Sequence, residues 1–104
     1  MTLINQSQYD TPKETYYSTV DTSFVTGDSP VTLDIHTALS RNSIDGYIVN
    51  DGAGDFTVNL SEDGTTFGND IRLKIGDEFS LRALSVDSIK ITWVADSSYR
   101  VFAV

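Results

Sequence analysis

The sequence predicts an all-β domain built as an antiparallel two-layer β-sandwich, and three observations carry that reading. From Pro30 onward, apolar and polar residues alternate with a period of two. The alternating runs are short and are separated by turn residues at roughly ten-residue intervals. No stretch carries the periodicity of an amphipathic helix of about ten residues or more.

The runs follow in order. Val31, Leu33 and Ile35 alternate with Thr32 and Asp34. After them, Thr37–Asn42 reads as at most one helical turn. Gly46–Asn50 is aromatic and β-branched and stops at Asn50-Asp51-Gly52, a turn signal. Phe56, Val58 and Leu60 alternate with Thr57, Asn59 and Ser61, and Glu62-Asp63-Gly64 turns the chain. Ile71, Leu73 and Ile75 form the next run, closed by Gly76-Asp77. Phe79, Leu81 and Leu84 continue the pattern. Ile89, Ile91 and Trp93 then alternate with Lys90 and Thr92. Asp96-Ser97-Ser98 turns into a final run of Tyr99, Val101 and Ala103. One wet and one dry face per strand points to antiparallel sheets. Jelly-roll connections are one way to join these strands; the pattern does not fix the topology.

The first 28 residues differ, and the chain divides into an N-terminal arm, 1–28, and a sandwich domain, 30–104. The arm is rich in Thr, Ser, Asp, Gln and Tyr, and Pro12 interrupts regular structure. Short pieces at Tyr16–Val20 and Ser23–Thr26 could pair as strands, as an arm or a loosely packed edge. A disordered tail and an arm ordered by a neighbouring subunit stand about even. Tyr9, Tyr16, Tyr17 and Phe24 are the candidate anchors, because aromatic side chains are common in interfaces and rare in disordered segments.

Composition narrows the function classes. Fifteen acidic and seven basic residues in 104 give a net charge of -8, which repels phosphate backbones and anionic membranes. The sequence contains no cysteine and a single histidine, His36, so disulfides and thiolate metal sites are excluded. A triad needs a nucleophile beside a base, and nothing near His36 resembles a nucleophile elbow. Gly52-Ala53-Gly54 precedes a strand, which removes the phosphate-loop logic. Asp63, Asn69 and Asp70, with Asp51 and Asp55, are the only calcium candidates, and they read better as turn residues. No catalytic residue, metal site or cofactor is expected. The start of the chain has no apolar stretch like that of a signal peptide. Asn5 and Asn59 each begin an acceptor pattern for glycosylation.

From Ile48 to Val104 the order of motifs is V-N-D-G-x-G-x-F-x-V-x-L-S-x-D-G-x-x-F-G, I-x-L-K-x-G-D, V-D-S-I-K-I and S-S-Y-R-V. This order resembles small β-sandwich virion proteins of tailed bacteriophages. The resemblance implies a non-enzymatic capsid decoration (cement) protein, made in the host cytoplasm and located in the virion. Its implied partners are the major capsid protein or other virion proteins, with no nucleic acid and no membrane. It also implies a homo-oligomer, a dimer or trimer. The alternative is a tail, baseplate or fibre component with a host-surface or carbohydrate-binding role. Such a role would expose tyrosine or tryptophan platforms on one face, whereas alternation places Trp93 in the core.

Overall fold

In a computed structural model, residues 15–104 are described. Eight strands and one short α-helix follow in order, with a 3-10 turn at Thr26–Asp28 after the first strand: β1 (Tyr17–Phe24), β2 (Val31–Asp34), α1 (Ile35–Leu39), β3 (Gly46–Asn50), β4 (Phe56–Ser61), β5 (Ile71–Leu73), β6 (Glu78–Ser80), β7 (Ser88–Trp93) and β8 (Ser97–Ala103). They form two four-stranded antiparallel sheets, ordered β1-β8-β3-β6 and β2-β7-β4-β5.

The connectivity follows from one long hairpin. Strands pair first with last: β1 with β8, β2 with β7, β3 with β6 and β4 with β5. Winding that ribbon around itself adds the β3–β8 and β4–β7 pairings that complete each sheet. The result is the strand order of a jelly roll, one of the two-sheet solutions that cover an apolar face without closing a barrel.

Alternation decides which side chains enter the core. Ile48 of β3 and Tyr99, Val101 and Ala103 of β8 point inward from one sheet. Leu33, Phe56, Val58, Leu73, Ile89 and Ile91 point inward from the other. Three rings pin the sheets together edge to face. Phe24 and Tyr99 lie 5.5 Å apart, and Phe56 lies 6.3 Å from Phe24 and 5.9 Å from Tyr99. Trp93 packs against this core, with its indole N–H donating to Asp96 at 2.9 Å.

Strand β1 changes the expected arm. Residues 17–24 are an edge strand, so the two sheets include Tyr17–Phe24 as well as residues from Pro30 onward. A bulge lies between Asp21 and Phe24, where Thr22 and Ser23 together face Ser98. One extra residue reverses the inward–outward phase. Phe24 therefore turns inward, where it is fully buried. Asp21 holds the bulge by accepting from the Ser23 amide at 2.9 Å.

Two other details differ from the alternating pattern. Strand β5 ends at Leu73, because a turn from Lys74 to Asp77, with Gly76 at φ +79°, carries Ile75 out to 67% exposure. Helix α1 begins at Ile35, two residues earlier than Thr37, because Asp34 caps it. The Asp34 carboxylate accepts from the Thr37 amide at 3.0 Å and the Thr37 hydroxyl at 2.6 Å.

Candidate interaction face

The two sheets present unlike outer faces. On β2-β7-β4-β5 the outward rows are Thr32–Lys90–Asn59, Thr92–Thr57–Arg72 and Asp34–Ser88–Ser61, and every member is polar. Phe67 folds back over this face and is covered by the Lys90 ammonium, 5.0 Å from the ring centroid.

On β1-β8-β3-β6 the corresponding rows are Ser18–Phe102–Tyr47–Ser80 and Val20–Arg100–Val49–Glu78. Tyr16 adds to the first row by stacking on Phe102, with centroids 5.8 Å apart. Tyr47 stacks on the other side of Phe102 at 5.7 Å. The result is an aromatic stripe, Tyr16–Phe102–Tyr47, bordered by Val20 and Val49. Tyr16 is 52% exposed and Val20 58%. Gly46 makes the inner end of this stripe possible: its φ is +139°, and a Cβ there would overlap the Phe102 carbonyl oxygen.

Charges surround the stripe. Arg100 donates to Asp51 from Nη2 at 3.2 Å and from Nε at 2.5 Å. This exposed pair orients the Arg100 stem over the face more than it stabilises the fold. Exposed Asp45, Asp51, Asp77 and Glu78 flank strands of this sheet. An apolar centre with a charged rim is the anatomy of a protein-binding patch.

The four aromatic candidates part company. Tyr16 joins the stripe. Tyr17 points toward the core side and is half-buried, and burial together with the Asp34 charge pushes its phenol pKa up. Phe24 is removed from the candidates: a side chain with no exposed surface anchors its own core and not a partner. Tyr9 lies outside the described residues. Tyr47 and Phe102 were missed. The available signal was the run of apolar residues in both phases, Tyr47-Ile48-Val49 and Val101-Phe102-Ala103, which indicates a strand with apolar side chains on both faces.

The chemical candidates resolve into structural contacts. His36 Nδ1 lies 2.8 Å from Asn42 Oδ1 and 3.6 Å from Asp87 Oδ2. Asn42 continues the chain of contacts by donating to the Glu62 carbonyl and the Ser85 hydroxyl. Together these bonds clamp α1 and its following turn to the loop after β4 and the loop before β7. Asp63 accepts from the Thr65 and Thr66 amides at 2.9 and 2.8 Å, which hold its carboxyl down at about 2. Asp70 accepts from Asn59, Asp55 from Arg72 and Asp51 from Arg100. Among the described residues, no three histidine, aspartate or glutamate side chains converge on a point that could hold a metal ion. The Asn59 amide nitrogen donates to the Gly68 carbonyl and to Asp70, and the residue is buried.

No protein-family model, curated protein or solved structure matches the chain.

Proposed function

We propose that this protein is a non-enzymatic structural protein of a tailed-phage virion, a decoration protein that binds and stabilises the head shell. In this reading the major capsid protein meets the outer face of β1-β8-β3-β6. The observation that carries the reading is the asymmetry of the two sheets: the outward strand positions of one are all polar, with the loop residue Phe67 its one aromatic and capped by Lys90, and the other bears the Tyr16–Phe102–Tyr47 stripe. A water-facing sheet has no need of stacked aromatics, whereas aromatic residues at a patch centre are the usual anchors of binding. The resemblance of Ile48–Val104 to phage virion proteins supplies the identity of the partner. The fold alone supplies none, since jelly rolls serve many functions.

The test is co-sedimentation of the full chain with phage head shells stripped of it. The expected result is saturable binding that falls at least tenfold in Tyr47→Ala/Phe102→Ala, because central anchors carry most of the affinity. Thr57→Ala/Thr92→Ala on the other sheet should bind like the unaltered protein. Shells that bind the stripe variant equally well would overturn the reading.

A carbohydrate-binding tail or fibre role is favoured by the exposure of Tyr16 at the end of the stripe. Phe102 offers less to a sugar, because rings on both sides already cover it. Saturable binding on a glycan array, lost in Tyr16→Ala, would promote this second reading over the first.

A further inference from the structure

We infer that Arg100 is the polar anchor of the stripe-bearing face, that Asp51 is its positioning residue, and that the group it takes from the shell protein is an uncharged carbonyl oxygen. The inference rests on the reading of that face as the shell-binding one and adds the partner's chemistry to it.

Arg100 stands in the middle of the face. It lies on β8, an inner strand, two residues before Phe102 and on the same side of the sheet. Val20 and Val49 are its direct neighbours on β1 and β3. The Arg100 side chain is 48% exposed. A partner that covers the aromatic stripe therefore also covers the guanidinium.

The guanidinium is held before any partner arrives. Nε and Nη2 donate to the two oxygens of Asp51, a two-point fork that fixes the plane of the group. Asp51 is itself tied to the strand that carries Arg100, because its amide donates to the Ser98 carbonyl at 2.9 Å. The next residue, Gly52, packs so closely that a Cβ there would overlap the Ser98 nitrogen. Arg72 on the polar sheet shows the contrast: it meets Asp55 through Nη1 alone, at 3.2 Å. An arginine already immobilised gives up little side-chain freedom on binding, so more of each new bond appears as affinity.

The remaining donors define the ligand. The fork uses one hydrogen each on Nε and Nη2, which leaves one on Nη2 and both on Nη1. Among the described residues, no acceptor meets Nη1. Covering these donors without an acceptor forfeits their hydration, so the partner must bring an oxygen. A carboxylate is the poorer choice. Asp51 already balances the Arg100 charge, Glu78 ends the same row, and Asp77 precedes Glu78. The whole chain carries a net charge of -8. A carbonyl oxygen accepts the same charge-assisted bonds without that repulsion.

Titration of stripped head shells with the full chain, read by co-sedimentation, tests the inference. Arg100→Met keeps the apolar stem and removes the donors, and should weaken binding at least about tenfold. Arg72→Met, the same change on the other sheet, should not weaken it. Asp51→Ala should weaken binding about three- to tenfold, and should add nothing when Arg100 is already methionine, because Asp51 acts through Arg100. Each variant should unfold in urea at the same concentration as the unaltered chain, since an exposed pair adds little to the fold. The dissociation constant should rise less than about threefold between ~50 and ~300 mM salt, because an uncharged ligand leaves little for salt to screen. Three results overturn the inference while the stripe reading stands: Arg100→Met binding as tightly as the unaltered chain, an Asp51→Ala loss that persists beside Arg100→Met, or a larger salt dependence. Shells that do not bind the unaltered chain at all overturn both.

Discussion

Replacing Asn50 with leucine tests what joins the two sheets at the end of β3. The side chain is 1% exposed and uses its whole hydrogen-bonding capacity. Its amide nitrogen donates to the Gly54 carbonyl at 2.8 Å and the Leu73 carbonyl at 2.9 Å. Its oxygen accepts from the Gly52 amide and the Ser97 hydroxyl, both at 2.9 Å. One residue of β3 thus ties its own loop to β8 in the same sheet and to β5 in the other. Leucine has nearly the same volume, so packing changes little and the loss is polar. The Leu73 carbonyl and the Ser97 hydroxyl lose their bonds in buried surroundings, at about 1–3 kcal/mol each. The Gly54 and Gly52 groups are part-buried and can recruit water, so they add about 0.5–1 kcal/mol each. Burying the leucine side chain returns about 1 kcal/mol or more. The expected net loss is about 4 kcal/mol, a large share of the roughly 5–15 kcal/mol that stabilises a domain. Urea unfolding followed by Trp93 fluorescence should show the midpoint falling by about 2–4 M, for a slope of about 1–2 kcal/mol/M. Ser97→Ala alone should cost about 1 kcal/mol, and the two changes together should cost less than their sum. A loss below about 1.5 kcal/mol for Asn50→Leu, or strict additivity in the double variant, would refute the account of a single shared clasp.

Two further outcomes follow from other buried groups. Burial pushes the Tyr99 phenol up to about 12, with the Asp21 charge adding to the effect. The unfolded chain releases that proton near its ordinary value of 10, so the stability this group contributes is present below pH 10 and is lost between pH 10 and 12. Urea midpoints at pH 9 and pH 11.5 should diverge less in Tyr99→Phe than in the unaltered chain; an equal fall in both would refute the assignment. Ser43 is fully buried, and its hydroxyl has no partner among the described residues. Ser43→Ala removes an unsatisfied group and should leave stability unchanged or raise it by up to about 1 kcal/mol; a loss above about 1 kcal/mol by urea unfolding would show a hidden bond.

Where period-two alternation ran unbroken, the strands were readable from the residues. Ile89-Lys90-Ile91-Thr92-Trp93 and Phe56-Thr57-Val58-Asn59-Leu60 lie in strands of the expected phase. Phe24 was misread because the bulge inserts a residue, so its phase disagrees with Tyr17, Thr19 and Asp21 before it. Those inward positions are polar because an edge strand covers less of the core. The aromatic stripe was hidden for a different reason. Tyr47 and Phe102 lie on adjacent strands of one sheet but 55 positions apart in sequence, and only the β3–β8 register brings them into contact. Their placement depends on topology, which local patterns do not encode.

The pairing of first strand with last also governs how the protein is made. Strand β8 sits between β1 and β3, so Ser97–Ala103, the last strand to be made of the eight, forms an inner strand of its sheet. During synthesis β1 emerges first and must wait for everything else before it meets its only strand partner among the described residues. Pairings this distant are slow to close. A chain in which β8 has not yet emerged therefore exposes both β1 and β3 with their hydrogen-bonding edges unfilled, and the sandwich closes only once β8 is free to pair. A change that stops the chain before Ser97 would remove a sheet's centre and not a tail.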